Sequence, residues 1–201
     1  ESGCAKGMGG SASIHSPEIR MMGHDGLMGT QVPVGVGYSF AKNYKNDKKD
    51  YSLIIMGDAS AEEDYVLGAL GYAAHKKLPI IFVCEDNNLS ILTEVKVRRN
   101  WKMTDVAKSF GIQVAELADD PWSVMHNVKR LMQTLPAFLN IHTARAVWHA
   151  GTGQDAPPEW DRFSLVKEEL NRIGLGNEAR EIEEHTREEM QKLWEIQFAI
   201  K

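Results

Sequence analysis

Along this chain, short unbroken apolar runs are separated by stretches in which apolar residues recur at helical spacing. Ser52-Leu53-Ile54-Ile55-Met56 is one run and leads into Gly57-Asp58. Pro79-Ile80-Ile81-Phe82-Val83-Cys84 is a second, ending in Glu85-Asp86-Asn87-Asn88, and Ala137 to His142 is a third. Runs without alternation predict strands buried on both faces of a parallel sheet. Between the first two, Ala61 to Lys77 carries Val66, Leu70, Ala73 and Ala74 at helical spacing. Gln31 to Lys45 does the same with Val32, Val36 and Phe40, and Pro33 is tolerated in a first turn. A further helix is predicted from about Trp122 to Gln133. After Gly151, the residues Gly153, Pro157 and Pro158 mark a loop, followed by helices near Phe163–Ile173 and Glu178–Ile200. The pattern predicts an α/β fold, a mostly parallel sheet flanked by helices. One domain is expected over residues 1–150, with 151–201 as its loop and C-terminal helical extension.

Composition narrows the function classes. The chain has 201 residues, 43% hydrophobic and 25% charged, which is ordinary for a globular domain and argues against disorder. A net charge of -5 and a pI near 5.8 do not suggest a nucleic-acid partner. No apolar run approaches the roughly 20 residues of a membrane helix, so no membrane partner is expected either. The two cysteines, Cys4 and Cys84, have no disulfide or metal spacing; they read as buried thiols in a reducing, cytoplasmic setting. The chain opens at Glu1, without Met, on the glycine-rich Gly7-Met8-Gly9-Gly10-Ser11. It reads as part of something longer, and a targeting segment ahead of Glu1 stays open.

The chemistry-bearing positions are the polar strand ends. In open α/β sheets, ligands bind outside the carboxyl ends of the strands. Asp58 follows one strand and Asn87 the next, so their oxygens can face one crevice. Carboxylate, amide and carbonyl oxygens with phosphate form the hard donor set that Mg2+ prefers. Ala59 and Ser60 open the following helix, whose free amides suit a phosphate. The plain alternative is that Asp58 caps a helix and Asn87 forms a turn.

The residues also carry a resemblance. Gly57-Asp58-Ala59-Ser60 with Leu78-Pro79-Ile80-Ile81-Phe82-Val83-Cys84-Glu85-Asp86-Asn87-Asn88 resembles the metal–diphosphate motif of thiamine-diphosphate enzymes. More closely, the chain resembles the α subunit of the decarboxylating component of 2-oxo-acid dehydrogenase complexes. Lys6 to Ser11 is similar to that family's glycine-rich entry, Gly26-Leu27-Met28-Gly29-Thr30-Gln31-Val32-Pro33 to its cofactor-pocket segment, and Arg145-Ala146-Val147-Trp148-His149 to its Tyr-Arg-x-x-x-His loop. The resemblance implies Asp58, Asn87 and the carbonyl of Leu89 as Mg2+ ligands, and Gly57, Ala59 and Ser60 as the diphosphate segment. It implies Gly26 and Met28 against the aminopyrimidine ring, where a bulky apolar side chain keeps thiamine diphosphate bent. His149 has the spacing of the family's active-site histidine. His15 resembles the family's second histidine in its longer, branched-chain form; both are implied as catalytic. A β subunit supplying the pyrimidine half of the site and a lipoyl acyltransferase are the implied partners, in an assembly of two α and two β chains.

Departures from the family pattern are visible. Ala59 stands where Gly is usual, Gly68 where Glu is common, and Ala150 where regulated members carry Ser. Family α subunits are longer, and a Tyr-Arg pair that clamps the diphosphate belongs ahead of Glu1. These departures keep two alternatives open: a non-catalytic assembly or regulatory module of the same fold, and a thiamine-dependent enzyme with another acyl acceptor. The basic stretch from Leu92 to Met103, with Lys96, Arg98, Arg99 and Lys102, reads as a solvated loop; the resemblance implies that it is mobile without cofactor.

Overall fold

The computed structural model describes residues 15–23, 26–45, 50–145 and 161–199. Helix α1 (Gln31–Tyr44) precedes strand β1 (Ser52–Gly57), and α2 (Asp64–His75) connects β1 to β2 (Ile80–Asp86). A small antiparallel hairpin follows, β3 (Leu89–Ser90) with β4 (Thr93–Glu94), running into the single turn α3 (Val95–Arg98). Then come α4 (Met103–Ser109), β5 (Gln113–Ala118), α5 (Pro121–Leu131) and β6 (Ala137–His142), and after them α6 (Arg162–Arg172) and α7 (Gly176–Ala199).

The sheet has the order β1-β2-β6-β5, and its strands are all parallel. Because side chains alternate across a strand, the two sheet faces collect separate cores. Ile80, Phe82 and Cys84 of β2 and Phe138 of β6 face Val32 and Val36 of α1, Val66, Leu70 and Ala73 of α2, and Met103 and Ala107 of α4. Ile81, Val83, Ala137 and Leu139 face the other way, against Leu131 and Val128 of α5. Burial on both faces holds as expected for β2 and for β6 up to Asn140. It does not hold for β1. Leu53 and Ile55 are 55% and 49% exposed, because β1 is the edge strand farthest from α5 and no described element covers that side.

Helices α1 and α5 follow the predicted spans, and the C-terminal pair lies where the sequence places it. The segment after β1 differs. It is not one helix beginning at Ala59: Ser60–Glu62 is a 3-10 turn, Glu63 is extended, and α2 starts at Asp64. The spacing gives no sign of α4 or β5. Arg162 of α6 pairs with Asp119, just before α5, at 2.6 Å. Among the described residues, no helix is long and apolar enough to cross a membrane.

Candidate functional site

Two neighbouring strand ends build the site. In the β1–β2 register Gly57 lies opposite Glu85, so Asp58 and Asn87 leave the sheet side by side at its carboxyl edge. The chain beyond β2 is shaped by its own side chains. Asp86 Oδ1 accepts from the Asn88 amide at 3.0 Å, and Asn87 Oδ1 from the Leu89 amide at 3.0 Å. Asn88 takes a left-handed conformation, φ 64°, which Asn tolerates better than most residues, and this turns Leu89 back into the hairpin. Asp86 is itself braced by Asn140 Nδ2 at 3.3 Å, with His142 Nδ1 at 3.7 Å. His142 Nε2 lies 2.9 Å from Glu116, whose carboxyl this hydrogen bond holds below the usual range.

Asp58 is the buried charge of the site. Its side chain is 3% exposed, and burial pushes its carboxyl above the ordinary value while the Arg98 guanidinium pulls the other way. Arg98 donates to the Asp58 carboxylate and, at 2.7 Å, to Glu62. Arg99 donates to the Asp58 carbonyl at 3.2 Å, pairs with Glu62 at 3.0 Å and lies 4.9 Å from the Trp101 ring. The reading of this stretch as solvated is therefore corrected for two of its cations: Arg98 and Arg99 are 13% and 4% exposed. Lys96 is exposed and pairs with Glu94.

The Gly26–Thr30 segment packs directly on this corner. Gly29, at φ +80°, has no room for a side chain: an added Cβ would lie 3.0 Å from the Ser60 carbonyl and 2.9 Å from Val66. The Tyr65 hydroxyl donates to the Met28 carbonyl. Ala59 has ordinary right-handed angles, φ -72° and ψ -38°, so its methyl imposes no backbone strain where the family pattern has Gly. The amides of Ala59 and Ser60 head only a three-residue 3-10 turn, so the macrodipole of a full helix is not available to them. What remains is the local pull of individual N–H groups.

The family model of the dehydrogenase E1 component matches residues 2–145. The chain belongs to that family. Among its relatives, the pyruvate dehydrogenase E1 component subunit alpha of Zymomonas mobilis is 38% identical over 112 residues, 55% of this chain and 31% of its own. The protein of the same name from Rickettsia bellii is 31% identical over 157 residues, 74% of this chain and 47% of its own. This E1 chain thus spans less than half the length of these curated relatives. Transketolase from Leishmania mexicana superposes with a TM-score of 0.54 at 17% identity, covering 58% of this chain and 20% of that one. Transketolase from Campylobacter jejuni gives 0.53 at 22%, covering 57% and 20%. Both show the shared fold.

Of the predicted positions in this E1 chain, the structure brings Gly57, Asp58, Ala59, Ser60, Asn87 and Leu89 to one sheet edge, with Gly29 packed against Ser60. Met28 is 51% exposed and so is not a core residue; Gly26 has φ +99°. His15 is not joined to that corner. Its Nδ1 accepts from the Gly23 amide at 3.2 Å, and Arg20 of the same turn is tied to Asp50, ahead of β1. His149 lies outside the described residues; Arg145, four positions before it, donates to the Ile91 carbonyl at 2.8 Å. The residues that sequence reasoning missed are Arg98, Arg99 and Glu62. The only signal was two adjacent arginines in a stretch with little other chemistry.

Proposed function

We propose that this chain is the α subunit of the thiamine-diphosphate-dependent, decarboxylating component of a 2-oxo-acid dehydrogenase complex. The observation that carries the reading is the corner itself: Asp58 and Asn87 at adjoining parallel strand ends, with the Gly26–Thr30 segment packed on Ser60. The donor chemistry fits a hard cation. Asp58 supplies a buried carboxylate that already holds a positive partner, Asn87 a neutral amide oxygen, and Leu89 a backbone carbonyl. These three would hold Mg2+, and the amides of Ala59 and Ser60, beside Gly57, would meet diphosphate oxygens. Thiamine diphosphate, when bound, supplies the electron sink through which a 2-oxo acid loses CO2.

The chain's own residues do the rest. Met28 offers an apolar side chain to the cofactor's ring region, and Gly26 leaves space there, with nothing among the described residues within 4 Å of an added Cβ. His149 and His15 are proposed to orient the substrate and hold or pass a proton beside it. A β subunit completes the site, in an assembly of two chains of each kind, and a lipoyl acyltransferase receives the acyl group. The relatives' designation as a subunit alpha supports the first of these partners. The setting is cytoplasmic, in keeping with Cys84 as a free buried thiol whose burial pushes it well above the usual range. The relatives' names favour pyruvate, whereas the spacing to His15 favours a branched-chain acid, so turnover of several 2-oxo acids with product analysis decides the substrate.

The test is calorimetry of the full chain, assembled with its partner subunit, on adding thiamine diphosphate and Mg2+. Binding is expected, and Asp58→Ala should abolish it; undiminished binding and activity in that variant would overturn the assignment. One observation favours the non-catalytic alternative, namely Arg98 already seated on Asp58. Absence of binding heat at millimolar cofactor would support that alternative.

A further inference from the structure

We propose that Arg98 is the resident countercharge of Asp58, and that a divalent metal loads only by displacing it. The inference rests on Asp58 being a metal ligand, as proposed above, and goes beyond it in naming what the metal must compete with.

A carboxylate as buried as that of Asp58 needs a countercharge, and Arg98 provides it. The guanidinium reaches both carboxylates at once, with Glu62 as its second anchor at 2.7 Å. The guanidiniums of Arg98 and Arg99 are paired with Asp58 and Glu62, and Asp86 adds one further negative charge facing Asp58. A doubly charged metal placed on Asp58 makes one guanidinium surplus and repels it at short range. The released cation then requires new acceptors, which the oxygens of a diphosphate provide.

Two further features show that the present pairing is incomplete. The Nε atoms of Arg98 and Arg99 are both buried and have no hydrogen-bond partner among the described residues. Buried donors of this kind are costly unless an acceptor arrives, so the cluster gains by meeting an anion. Arg98 ends the four-residue turn α3 and Arg99 is the extended residue after it, and this turn is entered from the β3–β4 hairpin rather than from the main sheet. Such a turn has little packing of its own to hold it once its ion pairs are broken. Metal alone should therefore bind weakly, and thiamine diphosphate should strengthen it by accepting Arg98.

The experiment measures Mn2+ binding to the full chain assembled with its partner subunit, from the electron-spin signal of the free ion. Wild type, Arg98→Gln, Arg98→Lys and Asp58→Asn are compared with Mn2+ alone and with Mn2+ plus thiamine diphosphate. With Mn2+ alone, Arg98→Gln should bind at least about tenfold more tightly than wild type. Arg98→Lys should fall between them, because one ammonium does not span Asp58 and Glu62 as a guanidinium does. If Arg98→Gln fails to fold, the Lys variant carries the test. Affinity unchanged or weakened in every folded Arg98 variant overturns the displacement, while Asp58-dependent binding of Mn2+ with cofactor in wild type leaves the metal site standing. Absence of Mn2+ binding by wild type even with cofactor, or undiminished binding by Asp58→Asn, overturns the metal site and the displacement together.

Discussion

At the scale of single residues, the site is held by a second row of polar groups behind the strand ends. Glu116 and His142 meet at 2.9 Å, Thr104 reaches Glu116 at 3.4 Å, and His142 approaches the Asp86 that shapes the Asn87–Leu89 turn. The hydrogen bond from His142 lowers the Glu116 carboxyl, so the folded state holds its proton less tightly than the unfolded chain does. The stability this contributes is present above the unfolded glutamate value of about 4.3 and is lost as pH falls through the lowered one. Glu116→Gln should therefore flatten acid-side unfolding, read as denaturant midpoints over that window. The effect should stay below about 1 kcal/mol, because the Glu116 side chain is 35% exposed and solvent screens it. An unchanged acid slope would remove this pair from the account. Asp58 and Asn87 were legible in the sequence because each lies two or three residues past the end of an apolar run. Arg98 and Arg99 were not, since what buries them is Glu62 and Asp58, 36 and 40 residues from Arg98 and brought near only by the sheet.

At the scale of elements, two glycines bracket the entry to α1 and make opposite demands. Gly29 needs its left-handed φ, and its surroundings leave no room for a Cβ beside the Ser60 carbonyl. Gly37 lies exposed inside α1, with nothing within 4 Å of an added Cβ. Gly29→Ala is expected to destabilise by about 1–3 kcal/mol through strain and overpacking. Gly37→Ala should stabilise by about 0.5–1 kcal/mol, the difference in helix propensity. Urea denaturation of both separates them by sign; equal effects would mean that the Gly29 contact with Ser60 does not hold the corner. The same physics decides which elements the sequence revealed. β2 and β6 are buried on both faces and stand out as continuous apolar runs, as β1 does despite its open side. β5 is a half-buried edge strand, Gln113-Val114-Ala115-Glu116-Leu117-Ala118, with a charge and small residues where strong strand formers would sit. α4 has seven residues, too few for a helical period to repeat. Their placement follows from the sheet, not from local pattern.

At the scale of the whole molecule, the carboxyl edge of the sheet gathers charge while apolar surface is left uncovered elsewhere. Leu53 and Ile55 of β1, Tyr38 and Tyr44 of α1, and Leu193, Trp194 and Phe198 of α7 are all exposed, the last three at the end of a helix with no buried residue. Surface of this kind offers contact area for the partner chains proposed above. Ligand binding to the folded assembly, but not to the unfolded chains, must raise stability by mass action. At a free cofactor concentration about one hundred times Kd, the gain is about 2.7 kcal/mol per site. For chains of this size, each kcal/mol corresponds to roughly 2–4 °C in Tm, so thiamine diphosphate with Mg2+ should raise Tm by about 5–10 °C. Chelating the metal should reverse the shift even with thiamine diphosphate present, because in the proposed site Asp58 and Asn87 would reach the diphosphate through the cation. Thermal scans of the assembled protein under the three conditions provide the check. A full shift that survives chelation would mean that the cofactor is held without metal, by the backbone amides and by Arg98 and Arg99 directly.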